Sequence, residues 1–271
     1  MKNLAQPPMA AQAEPNARQM LMNLLRVADE PLDTARAVRA CALFGISANN
    51  TRVALNRLVA AGLAEPVTRG AHQLGPHGRA LADEVGAWRH AEQALQPWAG
   101  DWVMVLTGGL GRVDRHALRA RERALALAGM KPLDTDVYIR PANIASGVDL
   151  IRSRLVALGL PPQAAVFLAR DFDTDRAQRA PALWDTEALL KGYRQGLEAL
   201  AASLTRLPTL PVADAARHAY LTGNQAIRHL VFDPLLPEPL VPTRERVAYR
   251  AEVLHYESVG RRVWQAFFDS V

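Results

Sequence analysis

Cysteine is almost absent from this sequence. Cys41 is the single one in 271 residues, so no internal disulfide can form. Its place in an apolar helical run marks it as a buried, inert thiol. Lysine is nearly as scarce: Lys2, Lys131 and Lys191 are the only three among 32 basic residues, and the rest are arginine. No apolar run approaches the ~18 residues that a membrane-crossing helix needs, so no such helix and no membrane partner is expected. The N-terminus carries one lysine and no apolar segment, so it does not read as a secretory signal. The expected compartment is the cytoplasm. No long-period repeat is visible.

What is present is a core-forming sequence with a basic front. Hydrophobic residues make up 49% and the net charge is +5. Residues 1–80 hold nine Lys/Arg against five Asp/Glu, whereas the remaining 191 hold 23 against 22. The basic excess therefore sits at the front of the chain, where an acidic partner is expected to bind.

Periodicity divides the chain into four stretches of an α+β protein. Residues 1–16, rich in Pro, Ala and Gln, read as a disordered tail. Residues 17–97 read as three helices, a hairpin and a longer helix. Met20, Leu21, Leu24, Leu25 and Ala28 form the inner face of the first helix. Asp33 or Thr34 caps the second, and Gly45 ends it. Ser47 caps the third and Gly62 follows its end. Segments 63–67 and 71–74 form the hairpin, with Pro66 restricting it to a sheet edge. A helix is expected over 77–95. This is the order of a winged helix-turn-helix. Residues 98–176 alternate strand, helix, one or two strands, helix and strand, as in a ferredoxin-like domain. Residues 177–271 read as a helical domain.

The third helix has two chemically distinct sides. Ala48, Thr51, Leu55, Leu58, Val59 and Gly62 form an inward stripe. Asn49, Arg52, Val53, Asn56 and Arg57 form an outward stripe. Arginine can bridge the two acceptors of guanine, asparagine can bridge the acceptor and donor of adenine, and Val53 can touch a thymine methyl. Asn49, Asn50 and Thr51, at the helix start, can donate hydrogen bonds to a phosphate. Arg69 at the hairpin tip, with His72 beside it, can reach a phosphate or the minor groove. A sequence-specific contact with double-stranded DNA is the function these residues suit.

The segments FGISANNTRVALNRLVAAGL, WVMVL, MKPLDTDVYIRPANI and HLVFDPLLPEPLVP resemble the PaaX-type transcriptional regulators, named for repressors of phenylacetate degradation operons. The resemblance implies an N-terminal winged helix, a central ferredoxin-like domain and a C-terminal helical region. It also implies a homodimeric repressor, not an enzyme, released from its operator by an aryl-acyl-CoA such as phenylacetyl-CoA. A CoA thioester needs cations for its phosphates and an apolar slot for its acyl group. Tyr138, Arg140, Asn143, Trp184, Tyr193, Arg228 and His229 are the candidate effector contacts.

Other motifs do not carry chemistry. DFDTD (Asp171, Asp173, Asp175) begins like a calcium loop, but Arg176 stands where glycine is needed and Ala182 where glutamate is needed; it reads as an acidic surface loop. Glu252 and His255 form one Glu-x-x-His pair where a di-metal bundle needs two. TGGLGR lacks the Lys-Ser/Thr of a phosphate-binding loop and reads as a strand-to-helix turn capped by Asp114. No cofactor or metal is expected. The alternative from another class is a metal-dependent nucleic-acid-processing enzyme, with Asp101 and Asp114 as its candidate acids. A winged helix that binds protein instead of DNA is the third.

Overall fold

The computed structural model describes residues 14–28, 30–111 and 113–270. The tail expected over 1–16 falls outside them for residues 1–13. The fold is α+β, with two small antiparallel sheets. Where the sequence suggested three successive domains, the described residues form two compact units that are discontinuous in the chain. One comprises 14–87, 199–225 and 253–270; the other comprises 88–198 and 226–252. Three long helices, α8 (Thr186–Arg206), α9 (Val212–Val231) and α10 (Arg244–Asp269), each give one end to each unit.

In the first unit, Asn16 starts α1 (Ala17–Val27). Its side chain accepts from Gln19 N at 3.0 Å, and the Gln19 side chain accepts from Asn16 N at 3.1 Å. This reciprocal pair satisfies two helix-end donors. Asp33 caps α2 (Thr34–Ala42) by accepting from Ala35 N at 2.5 Å. Gly45, at φ +68°, makes the turn out of α2, and Ser47 caps α3 (Ala48–Ala60) by accepting from Asn50 N at 3.2 Å. Strands β2 (Ala64–Thr68) and β3 (Ala71–Leu74) form the expected hairpin, and β2 is an edge strand, as Pro66 requires. A two-residue strand, β1 (Leu32–Asp33), flanks β3 on its other side. Two residues are too few to show an alternation, so nothing in the sequence marked it. The helix expected over 77–95 is divided: α4 covers Pro76–Gly86, and Ala87–Ala94 is a tighter 3-10 segment. Gly86 has weak helix preference, and the passage between units falls at the next residues.

The core of this unit is Met20, Leu21, Leu24 and Leu25 of α1, Ala37, Ala40 and Cys41 of α2, and Leu55 and Leu58 of α3. Burial pushes the Cys41 thiol pKa up, as suits an inert packing residue. Tyr220, Trp264 and Phe268 from the ends of α9 and α10 pack on the same cluster. Arg39 of α2 donates to Phe268 O at 3.1 Å and stands 4.4 Å from the Phe267 ring.

The second unit holds β4 (Trp102–Leu106), α5 (Arg115–Leu127), β5 (Lys131–Asp134), β6 (Val137–Pro141), α6 (Gly147–Ala157) and β7 (Ala165–Ala169). The strand order is β5-β6-β4-β7, with every neighbour antiparallel. Val103, Val105 and Val166 bury one sheet face under Ala124 and Leu125 of α5 and Ile151 and Leu155 of α6. The DFDTD stretch is not a loop throughout: Asp173 caps a short helix, α7 (Thr174–Arg179), whose Arg176 and Arg179 pair with Asp134 of β5 at 2.7 and 2.9 Å.

The segment 233–242 has no regular structure, so its main-chain groups need side-chain partners. Buried donors take three carbonyls in a row: Arg140 reaches Pro234 O at 3.5 Å, Asn143 reaches Leu235 O at 2.8 Å and Arg246 reaches Leu236 O at 2.6 Å. Gly129, beyond the end of α5, packs against this segment at φ +68°; a Cβ there would lie 2.8 Å from Pro234 Cα. Gly129→Ala is therefore expected to combine a strained backbone with a clash and to destabilise the protein by about 1–3 kcal/mol, read as a lower urea midpoint.

Candidate nucleic-acid interface

The start of α3 is set by the Ser47 cap and its orientation by burial. Thr51, Leu55 and Leu58 are 0%, 3% and 2% exposed, so the opposite side must face solvent. Asn49, Asn50, Arg52, Val53, Asn56 and Arg57 are all exposed. None of Asn49, Arg52, Asn56 and Arg57 has a side-chain partner among the described residues. The segment 34–64 contains four arginines and no acidic residue. That acid-free run is a signal in the sequence, and it explains why Arg57 finds no local carboxylate.

The hairpin is held close to α2 at its tip. Thr34 donates through both its backbone N and its Oγ1 to Gly70 O, each at 2.8 Å. Arg69, next to Gly70, is exposed and without a partner among the described residues. Farther down, Arg79 ties the strand pair by donating to Glu65 at 3.0 Å. Hydrogen bonds from Gln73 and Arg79 hold the Glu65 carboxyl below the usual range, so it stays ionised.

Two expected contacts are corrected. The Thr51 hydroxyl donates to Ser47 O at 3.0 Å and is fully buried, so it cannot bond a phosphate. It belongs to the inward stripe, where its spacing also put it. His72 lies in β3, paired with both Leu32 and Pro66, and is half-buried. Burial lowers its pKa, so the ring adds little positive charge beside Arg69.

The effector candidates are mostly interior. Arg140 is 2% exposed and donates to Ala128 O at 2.6 Å, Pro141 O at 3.2 Å and Asn143 Oδ1 at 3.1 Å, besides Pro234 O. Main-chain carbonyls occupy the guanidinium that was expected to meet a ligand's phosphates. Asn143 spends its amide on Leu235 O. The Tyr193 hydroxyl donates to Asp233 Oδ2 at 2.6 Å, with both residues buried. Trp184 stacks on Trp102 at 6.0 Å and is 4% exposed. Tyr138 is half-buried on the sheet core. Arg228 alone is exposed, lying 5.5 Å from the Phe232 ring. Arg140, Asn143 and Tyr193 are thus bonded to segment 233–242, while Trp184 and Tyr138 are packing residues.

The acids of the enzyme alternative are also engaged. Asp101 pairs with Arg170 at 2.6 Å, and Asp114 caps α5 by accepting from His116 N at 2.8 Å. Among the described residues no group of three or more His, Cys, Asp or Glu is placed to hold a metal ion, and no helix is long and apolar enough to cross a membrane. One constellation was invisible in the sequence: Ser203 Oγ lies 2.9 Å from His218 Nε2. It is not an activated nucleophile. Ser203 is 4% exposed and shares its Oγ with the Tyr256 hydroxyl at 2.7 Å, which makes it a polar bridge between helices.

His229 is ringed by Tyr193 at 5.6 Å and Tyr249 at 5.2 Å, and burial lowers its pKa from 6.5 to about 4. The unfolded chain takes up this proton near pH 6.5; the folded chain does so only near 4. Stability from the neutral ring is present above that window and is lost as pH falls through it. His229→Phe is expected to flatten the decline in urea midpoint between pH 7 and 4.5, leaving the part due to His72 and His218, whose pKa values burial also lowers. An unchanged decline would contradict a ring buried neutral.

No family model matches the chain, and no curated protein does. A solved structure, that of uncharacterized protein Rv0674 from Mycobacterium tuberculosis, is similar, with a TM-score of 0.60 and 22% identity over 91% of this chain and 95% of that one. At that identity the likeness extends to the fold alone.

Proposed function

We propose that this protein is a sequence-specific DNA-binding transcriptional repressor of the PaaX type. The observation that carries the proposal is the outer face of α3: exposed arginines and asparagines with no intramolecular partner among the described residues, on a helix with no acid nearby. A buried face against α1 and α2, a tight turn from α2 and a hairpin after α3 support a winged helix-turn-helix. The alternation β4-α5-β5-β6-α6-β7, with sheet order β5-β6-β4-β7, supports a ferredoxin-like unit. A homodimer released from DNA by an aryl-acyl-CoA is the regulation that the PaaX resemblance implies, and the protein then has no catalytic role. It acts on its operator in the cytoplasm. The ion pair of Asp101 and the capping role of Asp114 favour this reading over the nuclease alternative.

Retention of fragmented DNA from the protein's own organism at moderate salt, followed by sequencing, tests the proposal. A sharp peak that phenylacetyl-CoA or a related thioester abolishes is expected; uniform retention, or none, would refute it. On the recovered site, Arg52→Ala is expected to cost about 1–3 kcal/mol in discrimination against a base change. Arg69→Ala is expected to weaken all sequences alike and to flatten the salt dependence by about one unit of slope. Full-strength, fully specific binding by Arg52→Ala would overturn the assignment of the reading face.

A further inference from the structure

The outer face of α3 is not uniform. Asn49, Arg52 and Asn56 follow one another at spacings of three and four, and so do Asn50, Val53 and Arg57. The second row lines a groove of about 550 Å³ whose other wall is the first turn of α1, at Asn16 and Arg18. Its floor is apolar, made by Val53, Ala54 and Leu58, and no acidic residue lines it. Arg18 and Arg57 are both exposed and have no partner among the described residues. The cap of α1 is already filled by Asn16 and Gln19, so the positive charge of the groove comes from the two guanidinium groups.

We propose that this groove seats a backbone phosphate of the bound DNA strand, clamped between Arg18 of α1 and Arg57 of α3. The inference rests on the DNA-binding role of α3 and divides its outer face: Asn49, Arg52 and Asn56 meet base edges, while Asn50, Val53 and Arg57 flank the strand. Two like charges sharing one groove over an apolar floor raise the local potential, and an entering anion relieves their repulsion. The occupant is a strand of DNA because the groove is continuous with the reading face through Asn50, Val53 and Arg57. Arg18 then positions the protein on the duplex without reading sequence.

The test measures affinity against salt concentration for the recovered operator and for an unrelated duplex. Arg18→Ala is expected to weaken both by a similar factor, about tenfold at low salt, and to reduce the slope of log affinity against log salt by about 0.9. Arg57→Ala is expected to do the same. Arg18→Lys is expected to restore most of the slope, since the contact is one of charge. Arg115→Ala, which removes an exposed arginine of the other unit, is expected to match the wild type. If Arg18→Ala keeps wild-type affinity and slope while Arg52→Ala loses specificity, the groove proposal is wrong and the reading face stands. If inorganic phosphate at millimolar concentration raises the melting temperature through Arg18 while the DNA slope is unaffected by Arg18→Ala, the groove is a small-anion site and the proposal is also wrong. Absence of DNA binding by the wild-type protein would remove both.

Discussion

The burial of one side of α3 is the constraint on which the proposed interface depends. Thr51, Leu55 and Leu58 are pinned under α1 and α2, and a helix cannot bury one face without presenting the other. The Ser47 cap fixes where the helix begins and so which residues share a face. Gly62, at φ +67°, lets the chain turn back at once, with Leu63 N bonding Leu58 O at 2.9 Å. The hairpin then lies within reach of the start of α2, and the Thr34 bonds to Gly70 O hold its tip there.

Electrostatics separates the arginines of the same unit into two groups. Arg36 lies over the Phe268 ring, Arg39 bonds the end of α10, Arg79 pairs with Glu65 and Arg217 with Glu14. These cations are part of the packing. Arg18, Arg52, Arg57 and Arg69 have no such ties among the described residues. An exposed arginine loses little by waiting in water, and it gains most when it displaces counterions from a polyanion. Arg52 and Arg57 lie on α3, Arg69 at the hairpin tip and Arg18 in the first turn of α1.

In the second unit a different constraint dominates. Segment 233–242 runs without regular structure through a buried setting, and each of its early carbonyls needs a donor. Arg140, Asn143 and Arg246 supply them, and the Arg246 charge is met by Glu92 at 2.8 Å. Asp233 is fully enclosed: burial raises its pKa, while the Tyr193 hydroxyl and Leu235 N donate to it. Such a network tolerates little loss, because removing one member strands a buried polar group. Of the residues that suggested a ligand site, Arg140, Asn143 and Tyr193 serve this segment.

How much was legible follows from the range of each interaction. Caps, turn glycines, the edge placement of β2 and the two faces of α3 were readable, because they depend on neighbours within a helical turn or a hairpin. The short strand β1, the break after α4 and the helix α7 escaped, since two to six residues carry no period. Arg140 and Asn143 looked like ligand contacts because residue type tells that donors are present, not which acceptors they meet; those acceptors, Pro234 and Leu235, lie more than ninety residues away. The sequence by itself determined the local elements and the chemistry of the α3 face. Only the tertiary structure decided which cations were already spent and which faced solvent, because partners distant along the chain are set by packing and not by spacing.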